Sequence, residues 1–486
     1  MAFGSPLFGT ARRRGTALRR RRAVLVLCCA ALAAGSTNIP ASAAPPPLPP
    51  RLVEALQRDL GIDADEYARR VDTAHRLSDY AKIARIAHPA AFAGVRMDGG
   101  RGIVSLTDEV SAVPARATAE AAGFTVETVA ASEATLRDRR AGFERWLAGQ
   151  PGAVGESIFG YGIDSARNEL VVRVAEGTQL PIEAGLVRAM ASAMPQASPD
   201  SAAEDVQSIA AGEPAEPVVG GGQAYAFEVD GEIHRCSFGF NATDAAGSAL
   251  NITAGHCDPE NVVARSKRTG EPGRIFTVRG TSDKRYVPGE KARLGDEFGH
   301  FEVSSFAPHD YGILRLDDAV APRFRNNLVS TGQLSPPTPS FVPPFLDTGS
   351  GNSGSASENP GEAGGVLRIT GTTDPVAGAV VCKAGFRSGY SCGVILASDQ
   401  VARVKGKPGQ TDAPVQLDNM FITTLCGHPG DSGGPIMAGT EAVGITSSIL
   451  SNTTPLDGTC GHVPVLFGQP IGPVLRDHPG VKVRTS

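Results

Sequence analysis

The period of the apolar positions changes along the chain. After a proline-rich stretch at residues 45–50, Leu52, Leu56, Leu60, Tyr67 and Val71 recur with charged residues between them. That spacing sets them on one face of a helix. A second helical run, 136–147, holds the single tryptophan, Trp146. Short strand-like runs lie between and after these, at 103–106 and at 160–164 leading into 170–174. Mixed helix and strand up to about Pro195 predict a small α/β unit. Residues 195–216, rich in Ala, Ser, Pro and Glu, read as a linker. Beyond them the helical period disappears. Runs at 236–240, 249–253, 311–316, 365–370, 379–382, 392–397 and 442–446 are short, strand-like and set between Gly and Pro turns. This is the pattern of antiparallel β architecture. Two stretches are long for turns, 261–308 and the Pro-, Ser- and Gly-rich 335–363, the second reading as an extended connection.

The first 44 residues stand apart. Seven arginines precede an apolar run at 23–32 that is too short to span a bilayer, and Ala41, Ser42 and Ala43 follow. Basic head, apolar core and small residues are the three parts of a signal peptide, so an exported protein is expected, with no stable membrane insertion. The whole chain has a net charge of −5. Those arginines leave with the signal, so the remainder is more acidic still. That excludes nucleic acid as a partner class, because phosphate contacts need clustered positive charge. Of eight cysteines, Cys28 and Cys29 lie in the signal and six remain. An even number in an exported chain favours disulfides over metal ligands. Neither C-x-x-C nor H-E-x-x-H occurs, so no metal or cofactor is expected.

Late in the chain runs Pro429-Gly430-Asp431-Ser432-Gly433-Gly434-Pro435. A serine flanked by glycines suits a backbone that must approach another molecule closely and aim its N–H groups at a developing oxyanion. The same residues satisfy G-x-S-x-G, the elbow of α/β-hydrolases, which needs an acid and then a histidine after the serine. After Ser432 only His462 and His478 remain, without strand–helix alternation. Upstream, Thr253-Ala254-Gly255-His256-Cys257 follows one apolar run and His309-Asp310-Tyr311-Gly312-Ile313-Leu314 opens another. The order His256, Asp310, Ser432 resembles the chymotrypsin-like serine peptidases, in particular the bacterial streptogrisin and α-lytic protease group. The likeness runs from Val218 to about Ile471.

The resemblance implies an all-β mature domain, residues 217–486, of two antiparallel β-barrels with the active site between them. A smaller α/β pro-region with its linker, residues 45–216, would precede it, assist folding and be removed near 216–219. It implies a secreted, monomeric serine endopeptidase acting on polypeptides, with its own pro-region as partner. The triad would be His256, Asp310 and Ser432, and the N–H groups of Gly430 and Ser432 would form the oxyanion hole. It selects the disulfides Cys236–Cys257, Cys382–Cys392 and Cys426–Cys460. Ser447 would lie on a strand that pairs with substrate. Lys383, or else Arg387, would hold Asp431. Thr424 would floor the side-chain pocket and Ile449 would shorten it. That implies small or medium apolar residues before the cut, in place of arginine or lysine. His309, His428 and His462 read as solvated or loop histidines. Two other classes stay open: a secreted binding protein of weak or no activity on the same fold, and an esterase with the same triad.

Overall fold

The computed structural model describes residues 48–180, 188–197, 200–201, 218–263, 265–279, 293–332, 365–405, 414–450, 460 and 464–486. The expected signal peptide, residues 202–217, the 335–363 connection and part of 261–308 lie outside these residues.

Two helices open the described chain. α1 (Pro50–Leu60) begins on a proline, whose missing N–H costs nothing in a first turn, and buries Leu52 and Leu56. In α2 (Ala64–Ala87) the Asp63 carboxylate caps the start by accepting from the Glu66 N–H at 2.8 Å, and Tyr67 is buried. α3 (Ala112–Ala121) has no counterpart in the apolar pattern, because its buried face is Ala112, Ala115 and Ala119. The run at 136–147 lies within α4 (Glu133–Ala148), capped by Ser132. Strands β1 (Phe92–Asp98), β2 (Arg101–Leu106) and β3 (Thr125–Thr128) form a small sheet. The remaining N-terminal strands are β4 (Ile158–Asp164), β5 (Glu169–Val174), β6 (Arg188–Ala191) and β7 (Asp200–Ser201).

The rest is mostly β. First come β8 (Ala224–Val229), β9 (Glu232–Ser237), β10 (Phe240–Thr243), β11 (Ala249–Thr253), β12 (Arg274–Arg279), β13 (Arg293–Ser305) and β14 (Tyr311–Leu316). Then follow β15 (Leu328–Ser330), β16 (Val366–Arg368), β17 (Gly371–Thr372), β18 (Val380–Gly385), β19 (Gly389–Val404), β20 (Val415–Thr423), β21 (Pro435–Ala438), β22 (Glu441–Ile449), β23 (Leu466–Pro470) and β24 (Lys482–Val483). One large sheet has the order β24-β10-β11-β14-β13-β12-β8-β9-β7. The other runs β18-β21-β22-β23-β20-β19-β4-β5-β6, and β18 also pairs with β19. The predicted 249–253 and 311–316 coincide with β11 and β14, whereas 236–240 straddles the break between β9 and β10.

Strands before residue 217 therefore share sheets with strands after it. The cores are shared too. Leu77, Phe92 and Leu106 pack into one buried cluster with Val381, Ile395, Phe421, Ile436 and Leu466. A second core, around Tyr225, Phe227, Phe238, Phe298 and Phe324, lies under the first large sheet. The linker expected from residue 195 is corrected at its start. Residues 195–197 are hydrogen-bonded to Ile449 and Lys405, and β7 pairs with β9. The small polar composition hid this, because an added strand is held by backbone groups that composition does not reveal.

Candidate active site

β11 delivers His256. The strand ends at Thr253, and His256 sits in the single 3-10 turn Gly255–Cys257 that follows. Cys257 is tied to Cys236 on β9 by a disulfide. β14 runs antiparallel to β11 with Gly312 opposite Thr253, so Asp310, just before β14, arrives beside the histidine. Asp310 Oδ2 accepts from His256 Nδ1 at 2.8 Å, and Oδ1 accepts from the His256 backbone N–H at 2.9 Å. Both side chains are fully buried. A carboxylate on Nδ1 keeps the proton on that nitrogen and leaves Nε2 as the basic atom. Ser447 Oγ donates to Asp310 Oδ2 at 2.6 Å, and the Asp310 N–H donates to Gln469 Oε1 at 2.9 Å.

Ser432 comes from the loop between β20 and β21. Gly430 and Gly433 have φ of 99° and 82°, a backbone region that favours glycine. A Cβ on Gly433 would stand 1.9 Å from Thr253 Oγ1, so the serine loop abuts the end of the histidine strand. The Ser237 N–H donates to the Ser432 carbonyl at 2.8 Å, Ser237 Oγ donates to the Gly430 carbonyl at 2.9 Å, and the Gly433 N–H donates to the Thr446 carbonyl at 2.8 Å. The loop is thus pinned to β9 on one side and β22 on the other, with the Cys426–Cys460 disulfide at its start.

Asp431 is buried beneath this loop. It accepts from the backbone N–H groups of Arg387, Ser388 and His428 at 2.9–3.0 Å and from the Ser388 hydroxyl. Lys383 makes the ion pair, with Nζ at 3.1 Å from Asp431 Oδ2 and also donating to Ser388 Oγ at 2.6 Å. Lys383 lies on β18, inside the hairpin closed by Cys382–Cys392. Burial works to raise the Asp431 carboxyl, but the Lys383 charge and the Ser388 hydrogen bonds hold it below its ordinary value. Burial lowers the Lys383 ammonium, against the pull of Asp431.

Thr424 is half-buried and locked to β19, its N–H donating to the Val394 carbonyl and its Oγ1 accepting from the Val394 N–H, both at 3.0 Å. Ile449 ends β22, and its Cγ2 would lie 3.1 Å from a Cβ placed on Gly427. Its side chain therefore closes on the segment that leads to Ser432. His309 is near Asp477, with Nδ1 to Oδ2 at 3.6 Å. His462 lies outside the described residues. His428 is a loop histidine between β20 and β21, and it is buried, 6% exposed. Cys426, His428 and Cys460 gather within 4.8 Å, but both sulfurs are already bonded to each other.

Sequence reasoning missed Ser237, Ser388, Gln469 and Phe306, whose ring centroid lies 5.7 Å from that of His256. Only Gln469 carried a signal, as the polar residue that ends the apolar run 465–468.

No protein-family model matches the chain. Streptogrisin-C of Streptomyces griseus is 26% identical over 443 residues, covering 90% of this chain and 76% of the relative. Serine protease 1 of Streptomyces fradiae is 27% identical over 377 residues, covering 77% of this chain and 79% of its own. Glutamyl endopeptidase 2 of Streptomyces griseus is 28% identical over 249 residues, 51% of this chain and 93% of its own. A solved Nocardiopsis protease aligns at 25% identity with a TM-score of 0.34, covering 55% of this chain and 99% of its own.

Proposed function

We propose that this chymotrypsin-like bacterial serine protease, as its relatives make it, is a secreted endopeptidase working through Ser432, His256 and Asp310. Ser432 Oγ attacks a peptide carbonyl while His256 Nε2 takes its proton. The N–H groups of Gly430 and Ser432 hold the oxyanion. The imidazolium then protonates the leaving amine, an acyl-enzyme remains on Ser432, and water releases it with His256 again as base. The observation that carries this reading is the double grip of Asp310 on His256, at Nδ1 and at the backbone N–H. It holds the imidazole in one tautomer and one orientation.

The precursor reading belongs with it: a signal peptide at 1–44, a folding-assisting pro-region with linker at 45–216, and a two-barrel peptidase at 217–486. Support for a barrel in the second half comes from the circuit β18-β21-β22-β23-β20-β19, which the β18–β19 pairing joins end to end. Support for the pro-region comes from the pairing of β4 with β19, Tyr161 opposite Val401. The test is labelling with a fluorophosphonate. A single adduct on Ser432, absent in Ser432→Ala, is expected. An adduct mapped to another serine would overturn the assignment.

A further inference from the structure

Asp310 and the residues on either side of it are held by the two ends of one short helix. Gln469 stands just before the helix Ile471–Asp477 and accepts the Asp310 N–H at 2.9 Å. Past the other end, Asp477 and His478 meet the neighbours of Asp310. The Tyr311 hydroxyl donates to Asp477 Oδ2 at 3.4 Å and lies 3.0 Å from His478 Nε2. The Tyr311 and His478 rings meet edge to face, with centroids 5.6 Å apart. His309 Nδ1 lies 3.6 Å from the same Asp477 oxygen. The helix sets Ile471 and Val474 into the core cluster that also holds the Tyr311 ring.

These contacts fall where the strand ladder gives Asp310 no support. Residues 306–310 lie outside any strand. Pairing with β13 begins at Tyr311, and pairing with β11 begins at Gly312. The Asp310 N–H therefore takes a side-chain acceptor, and Gln469 is fully buried to supply it. The far end carries an independent sign. The C-terminal end of a helix favours a cation, so a carboxylate at its last position, Asp477, is not explained by the helix itself. Burial, and then Asp477, push the Tyr311 phenol above its ordinary value, which keeps the hydroxyl a donor. Seven helical residues place the two grips about 10 Å apart. A segment held at two separated points is fixed in direction as well as in place.

Resting on the peptidase reading above, we propose that this helix is a handle on Asp310, and that Gln469, Asp477 and His478 are positioning residues for the triad. None of the three acts on substrate. They act through Asp310, whose carboxylate sets the orientation of the His256 ring and so the direction in which Nε2 faces. Misplacement of a catalytic group by about 1 Å can cost on the order of a hundredfold in rate. Tyr311 transmits the hold, because its ring is locked in the core while its hydroxyl reaches the far end of the helix.

The test uses the full chain, with turnover of a peptide amide read beside fluorophosphonate labelling of Ser432. Tyr311→Phe keeps the ring and removes the hydroxyl. It should lower kcat about tenfold and leave KM within about twofold. His478→Ala should do the same, and His478→Gln, which keeps a polar group within reach of the hydroxyl, should recover most of the loss. In an Asp310→Ala background neither Tyr311→Phe nor His478→Ala should lower kcat further, since both act through the absent carboxylate. Parent kcat in both single variants, with Ser432 labelled as in the parent, would overturn the handle and leave the peptidase reading standing. A lowered melting temperature with kcat unchanged would overturn it equally, as would a further tenfold loss in the Asp310→Ala background. A parent that is not labelled on Ser432 would strike the peptidase reading, and the handle with it. Should His478→Ala fail to fold, Tyr311→Phe, which removes a single oxygen, decides.

Discussion

Three donors converge on the Asp310 carboxylate: the ring and the backbone N–H of His256, and the Ser447 hydroxyl. Asp310→Asn turns one of those acceptors into a donor and removes the charge that, in the proposed mechanism, would stabilise the imidazolium. We expect kcat to fall by about 10⁴, the magnitude typical of this substitution in a Ser-His-Asp triad, with the fold retained. Near-normal turnover in Asp310→Asn would move the acid elsewhere. Ser447→Ala removes a single hydrogen bond to a charged acceptor, worth about 1.5–3 kcal/mol, so a ten- to hundredfold drop in kcat/KM is expected. Lys383 and Asp431 form the other buried pair. Because the folded Asp431 carboxyl lies below its ordinary 3.8, its stabilisation is complete above that pH and is lost as pH falls through the lower folded value. Lys383→Met strands the carboxylate. It should cost about 3–5 kcal/mol in urea unfolding at pH 7 and move acid unfolding to higher pH. An unchanged acid midpoint would show that the N–H groups of Arg387, Ser388 and His428 suffice alone.

At the scale of elements, β22 does two jobs. Its Thr446 carbonyl pins the serine loop, and its last residue, Ile449, closes against Gly427. With Ile449 and Thr424 as the pocket residues the resemblance implies, a branched side chain would leave little room for a large ring, and Thr424 would bring no carboxylate to meet a basic one. Ile449→Gly should raise kcat/KM on Phe substrates at least tenfold while changing Ala substrates little. A parent enzyme that already prefers Phe tenfold in a peptide library would show that Ile449 faces away from the substrate. The strands that lead to His256 and Asp310 were legible because β11 and β14 are apolar runs bounded by turn residues, and nearly every position in both is buried. The helix α3 was not, since alanine contributes too little apolar surface to set a period.

For the whole molecule, β4 and β5 extend the peptidase sheet through β19, and the N-terminal helices share its core. Gly160 lies where the two backbones meet, and a Cβ there would stand 2.4 Å from the Val401 carbonyl. Gly160→Val should therefore cut the yield of active enzyme from refolded full chain severalfold. The specific activity of the enzyme that does fold should remain unchanged. Full yield from Gly160→Val would mean that the β4–β19 pairing plays no part in folding. By the same logic, residues 217–486 alone should refold to little active enzyme and be helped by residues 45–216 added in trans. Unaided refolding to full activity would end the folding-assistance reading.

What the sequence determined by itself was local: which runs are strands, which serine sits among glycines, and the order of histidine, aspartate and serine. These depend on periodicity and on short motifs, which neighbouring residues specify. The six cysteines joined as the resemblance implied. Only the tertiary structure decided that Lys383, not Arg387, makes the ion pair with Asp431, that Ser447 and Gln469 hold Asp310, and that His428 is buried. Those contacts join residues 48 to 159 positions apart. The misread start of the linker has the same cause. Residues 195–197 are held by backbone N–H and carbonyl groups, which nearly every residue carries and no composition discloses.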